Sequence, residues 1–168
     1  MPWLSAKPVC GFLLMTSVQA FAAAAAPAPL QQSNMSLALA NALVEATMSA
    51  CHAQGRFAVA AVIDRGGHLL SLQRDDRVGP HNTDAAVKKA FTALSTKTPS
   101  RLFADNARKN PDANNLNTID SLLLIGGGVP VKVGDDVIGA IGVGGAGGAA
   151  FDEACAVEAI DKVLGTAK

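Results

Sequence analysis

Two tight glycine turns, each set between short apolar runs, constrain this chain more than any other feature. Residues 57–64 read FAVAAVID, a nearly continuous apolar run of the length of a buried strand. Arg65-Gly66-Gly67-His68 follows, and adjacent glycines tolerate the positive φ that tight hairpins demand. Residues 69–73 then form the returning strand. The same logic holds further on, where residues 129–133 and 137–143 flank Gly134-Asp135-Asp136. Strands joined so closely must run antiparallel. Residues 122–125, ahead of Gly126-Gly127-Gly128, add a short strand, so the expected sheet has about five strands.

The segments around the hairpins carry helical periodicity. Leu37, Ala40, Val44, Met48 and Cys51 recur at spacings of three and four, which predicts an amphipathic helix over 36–54, capped by Ser36 and stopped by Gly55. Helices are also expected over 81–96, 100–108 and 151–164, the last with Asp152 and Glu153 in its first turn, where acidic groups suit the helix dipole. Residues 109–117 are polar and irregular. A helix, a hairpin, two helices, a short strand, a hairpin and a helix make an α+β single domain over 36–168, an antiparallel sheet flanked by helices that bury their apolar stripes on it.

The start of the chain reads differently. Lys7 precedes an apolar run over 9–18, and Ala20-Phe21-Ala22 supplies small residues around a cleavage position. This is the pattern of a secretory signal peptide, residues 1–22, followed by a flexible lead-in over 23–35. The apolar run falls short of the roughly 20 residues of a spanning helix unless the alanines up to Ala26 are counted, so no stable membrane span is expected after cleavage. The expected location is periplasmic or secreted. Processing removes Trp3, Cys10 and Lys7. The mature chain then has neither Trp nor Tyr, and Cys51 and Cys155 remain as an even pair. An oxidising compartment permits a disulfide between them, while two buried thiols on apolar helix faces satisfy the same pattern.

Composition narrows the function classes. Hydrophobic residues make up 49% and charged residues 17%, which excludes intrinsic disorder. Basic and acidic residues number 14 each, so no net positive field exists to hold nucleic acid. Gly142, Gly144 and Gly147 match GxGxxG, yet no parallel strand with a terminal acid follows, and a dinucleotide site is rejected. What remains of that motif is local: backbone N–H groups at a helix N-terminus can hold a carboxylate or phosphate. His52, His68 and His81 lack metal-ligand spacing, and no CxxC or GxSxG occurs. Asp75-Asp76 and Asp135-Asp136 read as turn residues. His81 stands apart because Pro80, a charged loop and a helix start hold it in place, with Arg74, Arg77, Lys88 and Lys89 near in sequence.

Several segments taken in order resemble the HbpS/GlcG-like haem-binding family. They are residues 60–69 (AAVIDRGGHL), 74–76 with 79–81, 88–93 (KKAFTA), 127–131 (GGVPV), 134–146 (GDDVIGAIGVGGA) and 152–155 (DEAC). The resemblance runs from about Ser36 to the end. It implies a small antiparallel sheet flanked by helices, assembly into a homo-oligomer, export and haem binding. A domain appended to PduO-type corrinoid adenosyltransferases is related. Residues 147–151 are more apolar than the loop usual at this place in the family. A haem site needs an axial ligand, donors for the propionates and an apolar wall. His81 is the expected iron ligand. Arg74, Arg77 and Lys88 are the expected propionate cations, and Gly144, Gly145 and Gly147 the close-approach loop. Phe91 or Phe103 could face the ring, but both read more strongly as core. The expected function is an exported haem-binding protein for scavenging, storage or sensing. The alternative is a small-molecule enzyme or organic-acid sensor using the same pocket without iron.

Overall fold

The computed structural model describes residues Trp3 and 26–165. Apart from Trp3, the expected signal peptide lies outside the described residues. The chain divides into one unit over Met1–Gln31 and a second over Gln32–Lys168, and the second holds every helix and strand discussed below.

Helix α1 spans Leu37–Ala53, and the Ser36 side chain accepts a hydrogen bond from the N–H of Leu39, as an N-cap should. The first hairpin is β1 (Val59–Asp64) with β2 (Leu69–Arg74), and the second is β3 (Gly128–Val133) with β4 (Asp136–Gly144). Between them lie α2 (His81–Thr96), α3 (Ser100–Lys109) and a 3-10 helix over Pro111–Thr118, where the sequence suggests only irregular chain. Helix α4 (Ala149–Leu164) closes the domain. The strand order is β2-β1-β4-β3, antiparallel throughout.

The sheet therefore has four strands rather than about five. Residues 122–125 form no strand, because side chains of neighbouring helices satisfy their backbone in place of a ladder. The Leu123 N–H donates to Thr92 Oγ1 at 2.8 Å, and Ser100 Oγ donates to the Ile125 carbonyl at 2.8 Å while accepting from the Gly128 N–H. With those groups paired, the segment has no reason to join an edge.

Alternation along the strands sorts the core into two faces. Ala60, Val62, Ile141 and Val143 point toward α1 and α4, where Leu43, Val44, Met48 and Ala156 fill the space. Val59, Ala61, Ile63 and Ala140 point toward α2, which answers with Ala86, Ala90 and Ala93. Helix α2 rides directly on the backbone of β3 and β4. A Cβ at Gly142 would fall 1.8 Å from the Ala86 carbonyl oxygen, and one at Gly128 would fall 2.0 Å from that of Lys89. Cys51 and Cys155 form a disulfide, 104 residues apart in sequence, joining α1 to α4. Residues before α1 are also pinned: the Met35 N–H donates to the Ile138 carbonyl, and Asn34 Oδ1 accepts from the N–H groups of Met35 and Arg65.

Candidate functional site

At the end of the sheet away from the hairpin turns, three connections converge. These are the link from α1 to β1, the loop from β2 to α2, and the glycine loop from β4 to α4. They enclose a cleft of about 300 Å³. Arg56 and Phe57 come from the first, Arg77, Val78 and Gly79 from the second, and Gly145, Ala146 and Gly147 from the third, with Asn82 from the first turn of α2. No carboxylate is among these lining residues.

Both arginines stack on aromatic rings. The Arg56 guanidinium carbon sits 3.3 Å from the centroid of Phe151, and that of Arg77 sits 4.9 Å from Phe57. The two phenylalanines stay 42% and 43% exposed, a large area for apolar rings to leave in water. Arg56 Nη1 donates to the Ala146 carbonyl at 2.7 Å, whereas its Nε is buried with no acceptor. A buried donor without a partner is disfavoured, and with no accessible surface this Nε is out of reach of a ligand in the cleft.

The glycines are required by shape. Gly147 has φ +95°, and a Cβ there would lie 2.8 Å from Arg56 Nη1. Gly145 has φ +92°, and its Cβ would lie 2.6 Å from Val78 Cγ1. Gly148, the N-cap of α4, brings no side chain to that helix terminus.

Behind the loop lies a buried ion pair. Lys89 Nζ donates to Asp152 Oδ2 at 2.7 Å and to the Val143 carbonyl at 2.9 Å, with both side chains almost fully buried. The other Asp152 oxygen accepts from the Ala146 N–H at 2.9 Å. One polar chain therefore runs from Lys89 through Asp152 and Ala146 to Arg56, and it fixes the glycine loop from behind.

Of the residues expected from sequence, Arg77, Gly145 and Gly147 line the cleft. Gly144 lies just below it, packed against Asn82. His81 is exposed at the rim: its ring abuts Gly79, and with its proton on Nδ1 its Nε2 accepts from Asn82 Nδ2 at 3.3 Å. Arg74, at the end of β2, and Lys88, on α2, are exposed and do not line the cleft. Phe91 packs beneath the Gly66–Gly67 turn, at the other end of β1.

Sequence reading gave no site role to Arg56, Phe57 or Asn82, named Lys89 only as a cation near His81 in sequence, and named Asp152 only as a first-turn acid. Lys89 had a usable signal, since helical spacing places it on the stripe of Ala86, Ala90 and Ala93 that faces the sheet. Asp152 reads as a first-turn acid, and its burial follows from the close passage of Gly127, whose Cβ would meet Asp152 Cβ at 2.8 Å and Lys89 Nζ at 3.1 Å.

Comparison with known proteins sets this geometry among relatives. A double mutant of HbpS from Streptomyces reticuli is 32% identical, with a TM-score of 0.75 covering 86% of this chain and 98% of that one. The PduOC:heme complex, 23% identical at a TM-score of 0.67 over 76% of this chain and 93% of that one, shares the fold. GlcG of Escherichia coli K12 is 32% identical over 109 residues, 65% of this chain and 80% of GlcG. A 15.0 kDa protein from the dhaT-dhaS intergenic region of Citrobacter freundii is 32% identical over 89 residues, 52% of this chain and 63% of that protein. The model of the family described as "Haem degrading protein HbpS-like" matches residues 35–161, and the chain belongs to that HbpS-like family.

Proposed function

We propose that this chain is an exported haem-binding protein for scavenging, storage or sensing, and that its ligand is held at the arginine cleft beside α4. The observation that carries the reading is that two arginines, each stacked on a phenylalanine ring, line a cleft that has no carboxylate in its lining. Haem combines an apolar ring, two carboxylates and an open iron; the lining offers cations for the carboxylates and the Phe57 ring for the apolar face, and no His, Cys or Met is among it. Arg56 and Arg77 would meet the propionates, Phe57 and Phe151 supply apolar surface, and the loop at Gly144, Gly145 and Gly147 permits close approach. His81, at the rim, is the proposed axial ligand. Bound haem would supply the iron centre for ligand or redox chemistry. Arg74 and Lys88, exposed and outside the cleft lining, are the further proposed propionate cations. Haem binding in the PduOC complex and the family description both favour this reading.

Export rests on the pattern of residues 1–22 and is favoured by the Cys51–Cys155 disulfide, a bond that persists in oxidising compartments. The domain boundaries at 22 and 35 belong to the same proposal, as does assembly into a homo-oligomer. Titration of the purified mature protein with hemin should give a saturable Soret change. Substituting Arg77→Ala should weaken binding by roughly 10- to 100-fold, the worth of a charge-assisted hydrogen bond. His81→Ala should alter the Soret position. A titration without saturation would end the haem reading.

A cleft of about 300 Å³ also favours a second reading, a small organic acid held by the same two arginines. Calorimetry with simple carboxylates, run beside the hemin titration, separates the two.

A further inference from the structure

We infer that the cleft selects its ligand by carboxylate groups on a flat ring rather than by the central metal, so that its ligand class is carboxylated tetrapyrroles, metallated or not. This rests on the tetrapyrrole reading above and assigns the source of its affinity.

Position is the first argument. The groups that line the cleft are cationic, aromatic and glycine-rich, whereas the His81 imidazole stands outside that lining. His81 is exposed, is separated from the cavity by Gly79, and has Asn82 as a neighbour at Nε2. An iron bond to His81 would therefore form at the rim, whereas Arg56 and the exposed Arg77 belong to the lining itself.

Pre-organisation is the second. The Arg56 guanidinium is already fixed, by its bond to the Ala146 carbonyl and by the face of Phe151. Ala146 is in turn fixed by Asp152, and Asp152 by Lys89. A guanidinium held this firmly loses little entropy when a carboxylate arrives, and its planar fork suits that group better than an ammonium does.

Charge balance is the third. Two guanidinium groups face a cleft that no carboxylate lines, so an anion is the partner they lack. An esterified ring would cover both cations and neutralise neither, which desolvates charge without return. Replacing iron by two protons leaves both contacts in place.

The test uses the purified chain and four probes in the same detergent buffer: hemin, metal-free protoporphyrin, and the dimethyl ester of each. Porphyrin emission and Soret absorption report binding, and the mature chain contributes no Trp or Tyr signal. Metal-free protoporphyrin should bind within about threefold of hemin, and each ester should bind roughly 30-fold more weakly than its acid, of the order of one to two charge-assisted bonds. Arg56→Ala and Arg77→Ala should narrow the gap between acid and ester. Arg56→Lys should restore it only in part. An unchanged circular dichroism spectrum and thermal midpoint confirm that each variant is folded. Hemin binding with no binding of metal-free protoporphyrin would overturn the inference and leave the haem reading standing. Equal binding of acid and ester would overturn it too. If no tetrapyrrole binds, the reading on which it rests has failed.

Discussion

The two faces of the sheet are held by different means. Toward α1 and α4, the side chains are large: Leu43, Val44, Val62, Ile141 and Val143 are fully buried, and the disulfide between Cys51 and Cys155 crosses the same layer. Toward α2, the side chains are small, with Ala61, Ala86, Ala90, Ala93, Ala140 and the bare backbone of Gly128 and Gly142. What the second side lacks in volume it replaces with polar bonds from Lys89, Thr92 and Ser100. Apolar packing is non-directional and tolerates adjustment. A helix seated on backbone and tied by buried hydrogen bonds has one position. The glycine loop of the cleft hangs from that second system through Asp152 and Ala146. Both sides therefore contribute stability, and the second also places the site.

The hardest test of that division is Lys89→Met. Removing one partner of a buried pair should cost about 3–5 kcal/mol, read as a lowered denaturation midpoint, because the Asp152 charge is left uncompensated. The double variant Lys89→Met/Asp152→Leu should recover much of that stability, since apolar pairs of similar volume replace buried ions without loss. Ligand affinity should not recover with it, because Ala146 N–H has lost its acceptor. Recovery of both would show that the pair acts only as core.

The other side should behave in the opposite way. The double variant Cys51→Ala/Cys155→Ala opens a loop closed over 104 residues and should lose about 2–5 kcal/mol. Hemin affinity of the folded fraction should hardly change, as neither sulfur touches the cleft. A fall in affinity as large as that of Arg77→Ala would mean that the disulfide also sets the site, and the contrast between the faces would dissolve.

Legibility in the sequence follows the same contrast. Features carried by local pattern were readable: the four α-helices, both hairpins and the antiparallel pairing follow from periodicity and from the turns at Gly66–Gly67 and Gly134. Features carried by distant partners were not. Nothing near Leu123 announces that Thr92 Oγ1 will take its N–H, so its segment imitates a fifth strand. Arg56 is a lone cation after a helix stop until Ala146 and Phe151, more than 85 residues later, give it a place. The cleft was legible in part for the same reason. Arg77 and the glycine loop carry local signals, whereas the buried pair behind them is a matter of tertiary approach.

The smallest expected effect lies at the hairpin end, far from the cleft. Asp64 closes the first turn. Its Oδ1 accepts from the His68 N–H at 2.9 Å and lies 3.3 Å from His68 Nδ1. Burial pushes its carboxyl upward, but the N–H groups of His68 and Gly66, together with the His68 imidazole, outweigh that and hold it below the ordinary value of 3.8. A carboxyl lowered on folding stabilises the native state above its unfolded value, and that contribution fades as the pH falls through the lower, folded value. Stability should therefore decline in acid below 3.8, and Asp64→Asn should flatten that part of the curve while leaving hemin affinity near neutral pH unchanged. Denaturant midpoints taken across acid pH measure the slope. If Asp64→Asn leaves the acid slope intact, the turn carries none of the acid sensitivity. If it weakens hemin binding, the two ends of the sheet are coupled, and the separation of stability from site placement does not extend along the strands.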